Sequence, residues 1–528
     1  MTKKQITIIT ALSIVAFVLA ILVSSRYWLR LDLTKNKAYT ISKVSRNLHR
    51  EIPDPVNITY YLSDRLRTIY PVLGEIEDTL REYAAYSRGK IRLVVRDPVK
   101  AGLTSTVEEL GIHPFQIDSV EQDQVSRSVV YSGIVIEYVD KLEVLPFVGS
   151  TNTLEYDLTS RIRAMVSNTE RQIGVIVGDS FRNWEEDYRY LNMTLTGAGF
   201  RIRQLSPGDE IPDNFPGLFV LGGVEDLDEL ALYRIDRFIQ MGGKVFFAVK
   251  GVYIDTVHGT VEARLQNSLG LLEMIASYGV IVRPELVLDR NALFLQYQTR
   301  TPQGMIQRRI TRYPLWISVS RDNGNPLHPV SSNFGGLDLY WASPVEIMPP
   351  YNVDAEMLFT TTREAWLQRE NFYTSPEIPY MLEIEAAETR GAKILGAALT
   401  GTFPSFFRGV EKPLEDLPDI PANARPSRII VVGEVDFASN LLAETEAVYN
   451  LDFLTRAADW LVSDDDIINI RSRQPQTGRL DKITDSSKKI AAMRFSQTLN
   501  IIIIPAFVIA AGLFLAYKRR REGKKYEL

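Results

Sequence analysis

A mixed α/β fold, built on a parallel sheet and bracketed by two membrane helices, is what this sequence predicts. Three observations carry that expectation. Short continuous apolar runs recur at 172–177 (QIGVIV), 217–221 (GLFVL), 244–249 (KVFFAV) and 428–432 (RIIVV), the pattern of strands buried on both faces. Helical periodicity separates them at 188–197, 227–241 and 451–462, which implies parallel crossovers. Long uncharged segments lie near both ends, at 6–23 and 499–517.

The first segment, ITIITALSIVAFVLAILV, would span roughly 27 Å as a helix, close to the hydrocarbon thickness. A cleaved signal peptide ending near Val23-Ser24-Ser25 is the alternative. The length of the run, and Arg26, Tyr27, Trp28 and Arg30 directly behind it, favour a retained anchor. After the second segment come Lys518, Arg519, Arg520, Arg521, Lys524 and Lys525, a positive-inside signal. The charges flanking the first segment argue the opposite orientation, but the C-terminal cluster is larger. The expectation is therefore a two-pass protein of the cytoplasmic (inner) membrane. Both termini would be cytoplasmic, membrane lipid would be a contact, and the large region between the spans would be extracytoplasmic.

The 528 residues carry 60 Lys and Arg against 65 Asp and Glu, a net charge of −5, so nothing attracts the whole chain to nucleic acid. The absence of cysteine excludes disulfides, thiolate metal sites and a thiol nucleophile. His49, His113, His258 and His328 are scattered without metal-ligand spacing, so no metal or cofactor is expected.

Expected domains are an anchor at 1–25, an α/β domain at 26–168 and a parallel α/β domain at 169–463 interrupted by a less regular insertion at 290–426. A polar stalk at 464–495 and a second anchor with basic tail at 496–528 follow. In the first domain a strand at 56–62 precedes a helix from Pro71, with Leu73, Ile76, Leu80 and Tyr83 on one face. Strands at 90–95, 128–138 and 141–147 and a helix at 154–166 complete a β-α-β-β-β-α order. That order resembles a thioredoxin-like layer without its CxxC pair.

Several motifs together resemble the GldG family, auxiliary components of ABC-type transport systems named for gliding motility. They begin with Arg30-Leu31-Asp32-Leu33-Thr34 and Tyr39-Thr40-Ile41-Ser42. Gly242-Gly243-Lys244, Val287-Leu288-Asp289, Gly401-Thr402-Phe403-Pro404-Ser405 and Val432-Gly433-Glu434-Val435-Asp436-Phe437 follow in order, then Ala458-Asp459-Trp460-Leu461. The resemblance implies a class I glutamine amidotransferase-like α/β domain. It also implies an ABC permease and a cytosolic ATPase as partners. Many relatives read close to GHGE after the first strand, where this chain has Gly178-Asp179-Ser180-Phe181, so roles tied to that histidine or glutamate do not carry over.

An amidotransferase needs a cysteine that is missing here, and neither a GxSxG elbow nor a GxxxxGK[ST] loop occurs. No catalytic residue is expected. Asp464-Asp465-Asp466 reads as a solvated turn. Asp179, Ser180, Glu185 and Glu186 follow the first strand of the parallel sheet, and Glu434 and Asp436 follow the last one. If those strands lie together, the six residues gather at the carboxyl edge, where open α/β sheets bind ligands. Asx turns and helix caps are the plainer explanation of the same residues. The leading expectation is a non-catalytic extracytoplasmic subunit of an ABC-type complex. The alternatives are an envelope-polymer or ligand-binding module without a transporter, and a hydrolase using the carboxylates of this cleft.

Overall fold

The computed structural model describes residues 41–463, apart from short stretches such as 122–123, 168–170, 257–260 and 301–304, together with isolated helical pieces between 494 and 514. The stalk expected at 464–495 and the motif residues before Ile41 lie almost wholly outside the described residues.

The chain enters through helix α1 (Lys43–Glu51), capped by the Ser42 side chain, which accepts from the Ser45 amide at 3.0 Å. The Ser42 amide donates to Glu155 Oε1 at 2.7 Å, and Ser45 Oγ donates to the same oxygen at 2.6 Å. This explains Ser42 of the motif as a structural tie. Strands β1 (Val56–Leu62), β2 (Ile91–Arg96), β3 (Ser132–Tyr138) and β4 (Lys141–Leu145) form a sheet in the order β2-β1-β3-β4. Strand β2 runs parallel to β1, and β3 antiparallel to it. Helices α2 (Val72–Tyr86) and α3 (Leu154–Ser167) bury Leu73, Ile76, Leu80, Leu158 and Ile162 against the sheet.

The single strand expected at 128–138 is divided at Tyr131. Its amide donates to Ser63 Oγ and its carbonyl accepts from the Ser63 amide, both at 3.0 Å, so the backbone leaves the ladder there. The residues before it, Gln124–Val130, pair instead with Phe115–Glu121 as a separate hairpin.

The second sheet holds seven strands among the described residues: β5 (Gln172–Val177), β6 (Arg201–Leu205), β7 (Gly217–Leu221), β8 (Lys244–Ala248), β9 (Val353–Thr360), β10 (Ile394–Gly401) and β11 (Ser427–Val432). Their order is β9-β10-β11-β8-β7-β5-β6. The five strands β11-β8-β7-β5-β6 are parallel, whereas β10 and β9 extend the edge antiparallel. Two strands from the 290–426 region thus belong to the main sheet.

Side chains of the central strands alternate between two cores, which is why those strands are apolar throughout. Phe219, Leu221, Phe246, Ala248, Ile430 and Val432 face helices α4 (Arg189–Gly197) and α7 (Val448–Val462). Leu218, Val220, Val245, Phe247, Ile429 and Val431 face α5 (Glu229–Gln240) and α6 (Gly270–Tyr278). Asp228 caps α5 by accepting from the Ala231 amide at 2.9 Å.

The fold expected from sequence included two transmembrane helices, and this is corrected. Among the described residues no helix is long and apolar enough to cross a membrane, so the two-pass inner-membrane placement is not supported. The longest described helices have fifteen residues and rise about 22 Å, short of the ~30 Å hydrocarbon layer. The segment at 6–23 lies outside the described residues, and only fragments of 499–517 fall within them.

Candidate functional site

In the parallel sheet β5 stands between β6 and β7, so the crossover from β5 to β6 and the connection onward to β7 diverge at this point. Ligands in open α/β sheets bind at the carboxyl ends of strands beside such a switch. Here the turn after β5 approaches the turn after β7 closely. A Cβ on Gly178 would stand 2.5 Å from Gly223 Cα, and one on Gly222 would stand 2.3 Å from Asp179 Oδ2. Gly222 and Gly223 also have φ of +73° and +88°, values that L side chains rarely adopt. The contact lets the Gly223 amide donate to Asp179 Oδ1 at 2.7 Å.

Around this contact five charged side chains are drawn together. Arg182 donates through Nη2 to Asp436 Oδ1, and its Nε lies 3.7 Å from Asp179 Oδ2. Lys250, just beyond β8, donates through Nζ to Asp436 Oδ2 and lies 3.3 Å from Glu434 Oε1. The same ammonium lies 5.4 Å from the centre of the Trp341 ring. Both Glu434 oxygens accept backbone amides, from Asp436 at 2.6 Å and Phe437 at 2.7 Å. Glu434 is 0 % exposed and Asp436 1 %, so every charge here must be met by another.

Two cations cannot balance three ionised carboxylates in so dry a place. Burial pushes Glu434 up to about 7, partly countered by Lys250. Burial also raises Asp179. At Asp436 burial acts in the same direction, but Arg182 and Lys250 outweigh it and hold the group below the usual carboxylate range. The cluster therefore stores a proton near neutrality, with Glu434 its favoured seat.

A raised folded-state pKa gives stability that is complete below the unfolded value of 4.5 and lost as pH climbs toward 7. Glu434→Gln, which does not titrate, is expected to gain on the native chain by up to about 1.4 kcal/mol per pH unit across that window. Parallel denaturation curves at pH 5 and pH 7 test this; an unchanged difference would place the proton elsewhere.

Above the cluster lies a cleft of about 180 Å3, lined by Asp179, Ser180, Arg182, Lys250, Tyr253, Arg264 and Gln266 among others. Its rim carries a two-point ion pair, Arg264 to Glu225 at 2.6 and 2.9 Å, with the guanidinium 3.8 Å from the Tyr253 ring centre. The Ser180 amide donates to Asp226 at 2.7 Å. Beside the cluster the buried Gln266 Oε1 has no hydrogen-bond partner among the described residues.

Of the six residues singled out from sequence, Asp179 and Ser180 line the cleft and Glu434 and Asp436 lie in the buried cluster below it. Glu185 and Glu186 are exposed in the single turn Trp184–Asp187 and do not line the cleft. The Glu185 amide donates to the Asn183 cap at 2.8 Å, and the Glu186 carbonyl accepts from Asn440 Nδ2. Sequence reasoning missed both cations. Lys250 had a signal, a charge closing an otherwise apolar strand; Arg182 had none beyond its closeness to Asp179.

A family model described as an ABC-type uncharacterized transport system matches residues 170–457, more than half of the chain. The chain belongs to this family. A second model, a domain of unknown function, matches residues 35–137. An uncharacterized protein of Borreliella burgdorferi is similar throughout, with 26% identity over 93% of this chain and 94% of the relative. The match reaches the ABC transport auxiliary family and goes no further; the GldG branch and its link to gliding motility find no support in it. Among solved structures, the mmIFT52 N-terminal domain aligns with TM-score 0.32 and 12% identity, covering 56% of this chain and 98% of that one. A ThuA-like protein from Parabacteroides merdae gives 0.27 and 11%, covering 56% and 91%. Neither score is high enough to carry an argument.

Proposed function

We propose that this ABC transport auxiliary protein is a non-catalytic subunit that binds its system's permease and cytosolic ATPase. The family match across the whole parallel-sheet region carries this reading. The geometry of the charged cluster supports the non-catalytic half of it. A general base needs a carboxylate free to take a proton from substrate. Asp436 is bridged by two cations, Glu434 by two backbone amides, and Asp179 by the Gly223 amide. Such a cluster suits a rigid floor beneath a recognition cleft better than turnover, which argues against a carboxylate-dependent hydrolase.

The test is purification of the tagged full-length chain in mild detergent, with the accompanying proteins identified by mass spectrometry. Stoichiometric recovery of a permease and a P-loop ATPase is the expected result. Recovery of the chain alone in several detergents would overturn the proposal.

A further inference from the structure

The main sheet carries an appendage that the cleft does not use. Residues Ala292–Arg300 and Ile306–Val319 form a long antiparallel ribbon, paired from Phe294 opposite Arg312 to Arg300 opposite Ile306. At its base Trp316–Val319 pairs with Leu337–Tyr340, but the outer part is two-stranded. The paired outer segment, seven residues on each strand, is roughly 20 Å long at the usual rise per residue. A bare two-stranded ribbon is marginal in water and exposes two unpaired edges.

Its composition departs from the rest of the chain. From Arg290 to Arg321 there are six arginines and no Asp, Glu or Lys, in a protein whose net charge is −5. The register places Phe294, Ile306, Arg308, Ile310 and Arg312 on one face. Phe294, Ile306 and Ile310 are 62%, 66% and 69% exposed. On the opposite face Leu295 packs against the main core. The Arg312 guanidinium lies 5.1 Å from the Phe294 ring centre, and Arg308 and Arg309 form no ion pair among the described residues.

We propose that this ribbon is a docking arm for an acidic, partly apolar surface on another protein subunit of the same transport complex. Interleaved aromatic, aliphatic and guanidinium groups match the composition of protein interfaces, where arginine is enriched and lysine depleted. An acidic partner supplies the carboxylates that the ribbon lacks. The proposal rests on the auxiliary-subunit reading above.

The experiment co-expresses the tagged full chain with the permease and ATPase of its system and compares native protein with Arg308→Glu and with Ile310→Asp, both on the exposed face. Leu327→Asp, at a position 85% exposed away from the ribbon, is the control. A photo-crosslinking residue is placed at 310 or 327 in parallel, and melting curves check folding. At least a tenfold loss of permease and ATPase by the ribbon variants only, with a crosslink from 310 to one of those subunits, supports the arm. Full retention by the ribbon variants overturns it and leaves the auxiliary-subunit reading standing. If the native chain itself retains neither subunit, that reading fails and takes the arm with it. Vesicles of phosphatidylcholine and phosphatidylglycerol at three to one form a separate arm of the experiment. Binding to them that the ribbon variants lose, while the complex stays intact, would assign the ribbon to a lipid surface and overturn the protein-docking proposal.

Discussion

Asp436→Asn is expected to lower the stability of the folded chain by about 3–5 kcal/mol, the usual cost of leaving buried cations without their carboxylate. Asp436 is the bridge between Arg182 and Lys250, and neither cation reaches solvent freely, at 11% and 9% side-chain exposure. Asparagine keeps the shape but removes the charge. It leaves Arg182 with Asp179 at 3.7 Å and Lys250 with Glu434 at 3.3 Å. The measurement is the denaturant midpoint at pH 7, with the slope checked for constancy. Adding Lys250→Met should recover part of the loss, because one unmatched cation goes with the missing anion. A strictly additive double variant would mean that the two groups do not share a network. A single-variant loss below about 1 kcal/mol would mean that the cluster is wet.

His49→Phe is expected to stabilise the protein increasingly as the solution is acidified. The imidazole is 2% exposed, stacks edge-on to Tyr83 at 4.5 Å, and neither nitrogen has a hydrogen-bond partner among the described residues. Burial lowers it from 6.5 to about 4. The unfolded chain therefore takes up the proton first. The stability that a neutral His49 gives is complete above pH 6.5 and drains away as pH falls toward 4. Phenylalanine does not titrate, so its advantage should reach about 3 kcal/mol at the acid end of that window. Denaturation of both proteins at pH 7, 6 and 5 provides the check. A difference that stayed flat with pH would show that the folded and unfolded chains take up this proton alike, so that burial does not hold His49 neutral. His328, lowered to about 4 by burial and by Arg428, gives a second site at which the same trend should appear.

The sites of these two predictions differ in how legible they were. The carboxylates Asp179, Glu434 and Asp436 could be named from sequence because strand-end positions in a parallel sheet are few and recognisable. Their partners could not. Arg182, Lys250 and Asp436 are brought together by three different strand ends, and although Lys250 closes an apolar strand, nothing local shows that it meets Asp436. Glu185 and Glu186 were grouped with them because they follow the same strand. The single turn at 184–187 keeps them on the surface. The docking ribbon was half legible. Its residues lie in the less regular 290–426 insertion, and the acid-free run between Asp289 and Asp322 gains meaning only when the register puts Phe294, Ile306, Arg308, Ile310 and Arg312 on one face.

Local pattern alone was enough to locate the parallel strands, and the ordered motifs pointed to the ABC transport auxiliary family, although not to its GldG branch. A strand buried on both faces must be apolar at every position, so QIGVIV, GLFVL, KVFFAV and RIIVV announce themselves without reference to neighbours. It did not determine strand order, the antiparallel edge formed by β9 and β10, or the break at Tyr131, because each depends on a partner distant along the chain. It also suggested membrane spans that the described helices do not supply. Hydropathy measures what a segment avoids, whereas pairing, register and charge balance depend on what it meets. Those meetings exist only once the chain is folded.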